Sequence, residues 1–274
     1  MKKSVLFFIA LIFCSNIITA QTTRALKKSL ELNMPKENGD EDAGSNGATV
    51  AWHPVQGKYY AAMAGNTNYP LAIFNSSGKR LSSDNMATMA DVRGLWYNPI
   101  KKTICGNGYG NTGWFQYVLD PKGAVLDIKT DIPEMVQPNS QAVGVLNIKS
   151  NEVMFLDANR VALYSNVGSF NKHINLHFGL TQKDDIGEEF EPADETPDGY
   201  NYTTAIYTGL KGAEIGVLNT DKKQIELYDF NKGFLTTILT LPESQTVYPS
   251  FAFAFSNGMY WLYNKVSRTW TSYK

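Results

Sequence analysis

The chain reads as an all-β protein, and three observations say of which kind. The first is a 45-residue internal echo. Trp52-His53-Pro54 returns as Tyr97-Asn98-Pro99, Gly65-Asn66-Thr67 as Gly110-Asn111-Thr112, Tyr69 as Trp114, Gly78 as Gly123 and Leu81 as Leu126. Gly168 continues the series one period later. The second is that helical periodicity is almost absent: short aromatic or β-branched runs alternate with Gly, Asn, Asp and Pro turns. The third is that the last repeat is one strand short, while a strand-like segment stands ahead of the first. A fixed period of this size, built from short strands, marks radial repetition. The expected architecture is a β-propeller of five four-stranded blades closed by an N-terminal strand. Six blades is the alternative count.

Residues 1–20 have the pattern of a secretion signal. Lys2-Lys3 are followed by the apolar run 5–13, and Ile18-Thr19-Ala20 offers a small-residue cleavage site before Gln21. The run is too short to span a bilayer, and no later stretch is long enough to be a transmembrane helix. A lipoprotein anchored at Cys14 is the alternative, but the bulky Phe13 stands where such a signal wants a small residue. Residues 21–46 hold the closing strand and an acidic loop, and residues 47–274 the rest of the propeller. Within 25–32, the apolar positions Leu26, Leu30 and Leu32 suit a strand that completes the last blade and removes two open edges.

The blades follow in order. The first has strands near 48–53, 58–64, 71–75 and 79–83, with Asn75-Ser76-Ser77-Gly78 as its last turn. The second has strands near 92–98, 103–106, 115–120 and 124–129. Its turn, Asp120-Pro121-Lys122-Gly123, puts Pro where φ must be preset and Gly where the exit needs relief. The third runs through 141–148, 153–156, 161–165 and 170–177. The fourth runs through 202–208, 213–219, 224–230 and 234–241. The fifth has only 250–255, 259–263 and 269–273.

The repeats resemble those of NHL-type propellers, within the broader WD40 and NHL group. The resemblance is carried by Thr49-Val50-Ala51-Trp52-His53-Pro54, Gly57-Lys58-Tyr59-Tyr60, Gly65-Asn66, Ile73-Phe74-Asn75 and Gly78-Lys79. The second repeat matches less closely, the other three only in hydrophobic outline. The Asp usual after the second strand and the Arg usual before the third are missing. The resemblance implies the propeller fold and no particular activity.

Composition narrows the function. Loss of residues 1–20 removes two lysines and no acid, leaving 23 basic and 26 acidic residues. A net charge of −3 gives no basic stripe for nucleic acid. Cys14 would leave with the signal, so Cys105 remains alone and no internal disulfide can form. Flanked by Ile104 and Gly106 in a strand, it reads as a small buried hydrophobe.

Propeller geometry places the inter-blade connections and the second hairpin of each blade on one face. That face should collect the loops 65–69 and 106–114, the long segment 181–198 and the acidic segment 37–42. Loops clustered on a rigid scaffold are where binding usually resides. Asn66, Tyr69, Asn111 and Trp114 combine amide and aromatic groups suited to sugar rings or peptide side chains. The starts of the inner strands open on the same face and add Asp91, Arg93, Gln141, Asn201 and Tyr248, with Asn139, Tyr202 and Ser250 beside them. The segment 181–198 carries eight acids, and carboxylates suit Ca²⁺, yet their spacing fits no Ca²⁺ loop. A solvated loop is the favoured reading and no cofactor is expected. His173 and His177 lie four apart in an expected outer strand without further metal ligands.

No Gly-x-Ser-x-Gly elbow or His-Glu-x-x-His helix appears. The expectation is an exported, non-catalytic propeller that binds an extracytoplasmic protein, peptide or glycan on its loop-rich face. One alternative is a metal-dependent hydrolase similar to propeller lactonases, using Asp91, Asn139 and Asn201. The other is a structural subunit of a cell-surface complex.

Overall fold

In a computed structural model, which describes residues 21–35, 46–184 and 189–274, the chain forms a five-bladed β-propeller. Strands β1 (Thr22–Ala25) and β2 (Lys28–Asn33) come first. Blade one holds β3 (Asn46–His53), β4 (Lys58–Ala64) and β5 (Leu71–Asn75). Blade two holds β6 (Val92–Asn98), β7 (Thr103–Gly108), β8 (Trp114–Leu119) and β9 (Val125–Ile132). Blade three holds β10 (Val145–Asn147), β11 (Glu152–Asp157), β12 (Arg160–Ser165) and β13 (Phe170–Asn175). Blade four holds β14 (Tyr200–Tyr207), β15 (Ile215–Asn219), β16 (Gln224–Tyr228) and β17 (Leu235–Thr240). Blade five holds β18 (Phe253–Ser256), β19 (Met259–Asn264) and β20 (Thr269–Tyr273). The first strands of the blades touch in cyclic order, β3 to β6 to β10 to β14 to β18 and back to β3, which closes the ring.

The 45-residue echo has a local cause. Gly78, Gly123 and Gly168 have φ of 81°, 80° and 85°. Each donates its N–H to the carbonyl three residues back, on Asn75, Asp120 and Ser165, at 3.0, 2.9 and 3.0 Å. The side-chain oxygen of that first residue then accepts a backbone N–H, from Lys79, Ala124 and Ser169 respectively. A Cβ is strained at such φ, so the same turn demands glycine each time.

Between the turns, apolar side chains pack blade on blade. Five buried clusters fill the five interfaces. They centre on Tyr59, Trp261 and Trp270 between blades five and one, and on Tyr60, Phe115 and Tyr117 between one and two. Trp96, Trp114 and Phe155 fill the space between two and three, Leu163 and Tyr228 that between three and four, and Phe253 and Tyr260 that between four and five. Edge-to-face pairs recur, such as Trp96 with Trp114 at 5.9 Å, the arrangement ring quadrupoles favour. Cys105 lies in the blade two–three cluster, where burial pushes its thiol up to about 12.

Four details depart from the sequence expectation. Blade one has three strands: residues 79–83 contribute only a bridge between Phe74 and Arg80. There Ser82 Oγ accepts the Ile73 N–H at 3.0 Å, taking the place of a strand carbonyl. The expected inner strand 141–148 is shortened to β10, and β18 starts at Phe253 because Phe251 and Ala252 adopt left-handed φ of 49° and 57°. His173 and His177 do not share a strand, since β13 ends at Asn175. His173 Nε2 meets Asp157 Oδ2 at 3.0 Å, and His177 stacks on Phe234. Finally, the N-terminal segment does more than complete blade five. β2 pairs antiparallel with β20, burying Leu32, while β1 runs parallel to β17 as a fifth strand of blade four. Residues 1–20 and the acidic segment 37–42 lie outside the described residues.

Blade four also buries a carboxylate. Glu226 is 0% exposed. Its Oε2 accepts from the Tyr200 and Tyr228 hydroxyls at 2.9 and 2.6 Å, and its Oε1 from Asn219 Nδ2 and Gln224 Nε2 at 3.0 and 2.7 Å. The Tyr228 hydroxyl in turn accepts the Gly179 N–H at 2.9 Å. The network thereby holds the start of the long connection out of blade three.

Candidate functional site

The starts of the inner strands converge on one end of the channel, around a cavity of about 310 Å³. Every blade supplies part of its wall: Asn46, Ala64 and Gly65 from blade one, Arg93 from two, Gln141 from three, Tyr202 and Thr203 from four, Ser250 and Phe251 from five. A five-fold ring makes this convergence automatic, because each inner strand enters beside the axis.

Arg93 is the centre of the site and only 5% exposed. A buried guanidinium must have its donors met. Nε donates to Gln141 Oε1 at 3.0 Å, and Nη1 to Asp91 Oδ1 at 2.5 Å and to the Val92 carbonyl at 3.1 Å. Nη2 has a single contact among the described residues, 3.4 Å to Asp91 Oδ2. The rings of Tyr109 and Phe251 lie 4.8 and 5.3 Å from the guanidinium carbon, at cation–π range. Asp91 is held in turn by the Gly65 N–H, which reaches Oδ1 at 2.9 Å.

The position of Phe251 is enforced from blade four. Asn201 Nδ2 donates to the Tyr248 and Phe251 carbonyls at 3.0 and 2.8 Å, and Thr203 Oγ1 accepts the Phe251 N–H at 2.7 Å. Two consecutive non-glycine residues in the left-handed region are costly, of order 1–3 kcal/mol each, and persist only where neighbours over-determine them.

The structure sorts the expected site residues into three groups. Asp91, Arg93 and Gln141 form one connected cluster at the cavity. Asn201 and Tyr248 lie close by but face structural work. Asn201 is 0% exposed, with its Oδ1 taken by the backbone N–H groups of Thr203 and Thr204, and Tyr248 packs against the blade five–one core beneath the Lys265 ammonium. The loop residues do not present a joint binding surface. Trp114 is 3% exposed, because it begins β8 and points into the core between blades two and three. Tyr69 packs on the blade five–one cluster, and Asn66 Oδ1 closes its own turn on the Asn68 N–H at 2.7 Å. Asn111 is exposed on a single 3-10 turn, Gly110–Thr112.

Asp91, Asn139 and Asn201 also fail to form a metal-ligand set. Asp91 serves Arg93, Asn139 Oδ1 accepts the Gln141 N–H, and the Asn201 amide is turned inward. No group of three or more His, Cys, Asp or Glu placed to hold a metal occurs among the described residues. The described parts of the segment 181–198 touch both faces, and not the loop-rich face alone. Thr181–Lys183 line a groove of about 620 Å³ against the first and third hairpins of blade four, whereas Glu191 and Ala193 reach Asn159 in the second hairpin of blade three.

The opposite end of the channel holds an apolar cavity of about 330 Å³, walled by Trp52, Trp96, Tyr97, Leu146, Phe253 and Phe255 among others. Trp52 and Tyr97, echo partners in sequence, face it from equivalent places in blades one and two.

No protein-family model and no curated protein matches the chain. Solved structures share its fold. Glutaminyl cyclase from Myxococcus xanthus is similar with a TM-score of 0.53 at 8% identity, over 93% of this chain and 98% of that one. A Bacteroides caccae protein of unknown function gives 0.42 at 14%, over 84% and 73%. A nidogen/laminin complex gives 0.41 at 10%, over 72% and 64%. For the first, at 8% identity, the likeness is one of fold alone.

Proposed function

We propose that this protein is an exported, non-catalytic binding propeller that takes a peptide or glycan at the Arg93 end of its channel. One observation carries the reading: all five blades contribute side chains to a single polar cavity at that end. Rigid walls with a few convergent polar groups are the usual form of a ligand site. Tyr202, 53% exposed at the rim, adds an aromatic face beside the amides and hydroxyls. The secretion-signal pattern of residues 1–20 supports export.

The test is a peptide and glycan array probed with the purified protein and its Tyr202→Ala variant. Hits that weaken in the variant, at unchanged melting temperature, support the reading. Hits indifferent to Tyr202 and to Ser250→Trp, which fills the cavity, move the ligand elsewhere and overturn it. Export is tested separately, by N-terminal sequencing of the protein released from an expressing bacterium. A start at Gln21 supports it and retention of residues 1–20 refutes it.

Catalysis is the second reading, favoured by the near full-length fold similarity to an enzyme, glutaminyl cyclase. Cyclisation of a glutaminyl peptide by this protein, lost on filling the cavity with Ser250→Trp, would replace the binding account.

A further inference from the structure

The channel-mouth cavity has a chemical polarity that narrows what it binds. Among the described residues that line it, Arg93 is the single charged side chain. Its partner Asp91, with Oδ1 shared between Arg93 Nη1 and the Gly65 N–H, is not among them.

The donors of Arg93 are also unevenly used. Five N–H groups are available on a guanidinium. Nε and both Nη1 hydrogens are engaged, but among the described residues Nη2 has only the long contact to Asp91 Oδ2, which leaves at least one N–H unclaimed there. Gln141 gives its Oε1 to Arg93, and its Nε2 has no hydrogen bond among the described residues. Asn46 also contributes to the wall. An anion satisfies the free donors of Arg93 and Gln141.

We infer that the cavity is a receptor for a carboxylate carried next to a hydrogen-bonding group, with Arg93 and the Gln141 amide taking the carboxylate and the polar wall taking the group beside it. The inference rests on the binding reading above and specifies its ligand. The planar guanidinium, flanked by the Tyr109 and Phe251 rings and oriented by Asp91, is preorganised for a carboxylate. A sugar acid and an N-acylated amino acid share this chemistry: one offers a hydroxyl beside the carboxylate, the other an amide N–H.

The experiment is calorimetric titration of the purified protein with four probes: galacturonate, N-acetylglycine, and their uncharged counterparts galactose and N-acetylglycinamide. The expected result is binding of at least one carboxylate, tenfold or more tighter than its uncharged counterpart and weakened by salt. Which of the two carboxylates binds better distinguishes the two sources. Arg93→Met should abolish that preference. Because a change at a buried arginine risks the fold, Ser250→Asp is the second variant: it sets a carboxylate in the cavity wall and leaves the Arg93 network untouched. Loss of carboxylate binding in Ser250→Asp, at unchanged melting temperature, supports the inference. Equal affinity for charged and uncharged probes, or undiminished carboxylate binding in Ser250→Asp, overturns it. If the carboxylates do not bind while neutral peptides or glycans from the arrays bind in a Tyr202-dependent way, this inference falls and the binding reading survives. If neither class depends on the cavity, both fall.

Discussion

Replacing Glu226 by Gln isolates the worth of one buried charge. The side chain keeps its length and shape, so the change is chemical. A carboxylate offers acceptors at both oxygens, and here each oxygen takes two donors. A carboxamide keeps one oxygen. Turned to keep the Asn219 and Gln224 amides, it presents N–H groups to the Tyr200 and Tyr228 hydroxyls. Those phenols can accept, and Tyr228 already accepts from Gly179, but their own protons then have no partner. A hydrogen bond to a charged group contributes about 1.5–3 kcal/mol, so two lost bonds cost about 3–6 kcal/mol. Removing the need to desolvate a charge returns part of this. The expected net destabilisation is about 3 kcal/mol, which for a domain of this size lowers Tm by roughly 6–12 °C. Scanning calorimetry and urea unfolding measure it, and Tyr228→Phe completes a double-mutant cycle. The coupling should reach about 1 kcal/mol or more, because the two side chains share one bond. A Glu226→Gln protein within about 0.5 kcal/mol of the parent, or a cycle that is simply additive, would show that the network does not hold blade four together.

Three further outcomes follow from buried titratable groups. Burial raises the Tyr60, Tyr117, Tyr200, Tyr228 and Tyr263 phenols above their ordinary 10, and pushes Tyr260 up to about 12. The unfolded chain then binds fewer protons than the fold above pH 10, so stability is full below 10 and falls as pH rises, by up to about 1.4 kcal/mol per pH unit for each phenol. The share of phenolate absorbance due to these six side chains should appear together with loss of the circular dichroism signal; its full appearance in the folded protein refutes the argument. His53 lies on the acid side: burial lowers its pKa below the ordinary 6.5, while its Nε2 bonds the Lys102 carbonyl at 3.2 Å. Its contribution is present above 6.5 and lost as pH falls through its folded value, so Tm should drop on acidification below 6.5 and His53→Gln should flatten that part of the profile. Cys105, with its thiol pushed up to about 12, should resist a thiol reagent at neutral pH until urea unfolds the ring. Rapid labelling of the native protein would contradict its placement.

The parts of this architecture visible in the sequence were those fixed by backbone chemistry. The Asp120-Pro121-Lys122-Gly123 turn and its echoes announce themselves, because only glycine relaxes at φ near 80°. Leu26 and Leu32 betray a buried N-terminal segment. The pairing of Thr22–Ala25 with blade four does not show, since these residues are all exposed and carry no large apolar side chain. Likewise the absent fourth strand of blade one depends on where Ser82 sends its hydroxyl. At the site, Arg93 and Gln141 were legible because strand starts must meet at the axis. Phe251 was not, because a left-handed phenylalanine leaves no mark in the sequence; it is imposed by Asn201 and Thr203 some fifty residues earlier. Trp114 was misplaced because a loop aromatic and a strand-initial aromatic look alike until register decides which side it faces.

The N-terminal strap sets the order in which this molecule can be completed. Asn33 meets Thr269 across 236 positions of chain, and Lys27 exchanges hydrogen bonds with Lys274. During synthesis the earliest part of the ring must therefore wait, unpaired, until the latest part exists. Contacts of such sequence separation form slowly, and every blade made meanwhile carries an open edge. The ring behaves less like a stack of independent repeats than like a belt whose buckle is its first dozen residues. A chain that stops short of β20 leaves β2 with nothing to fasten to.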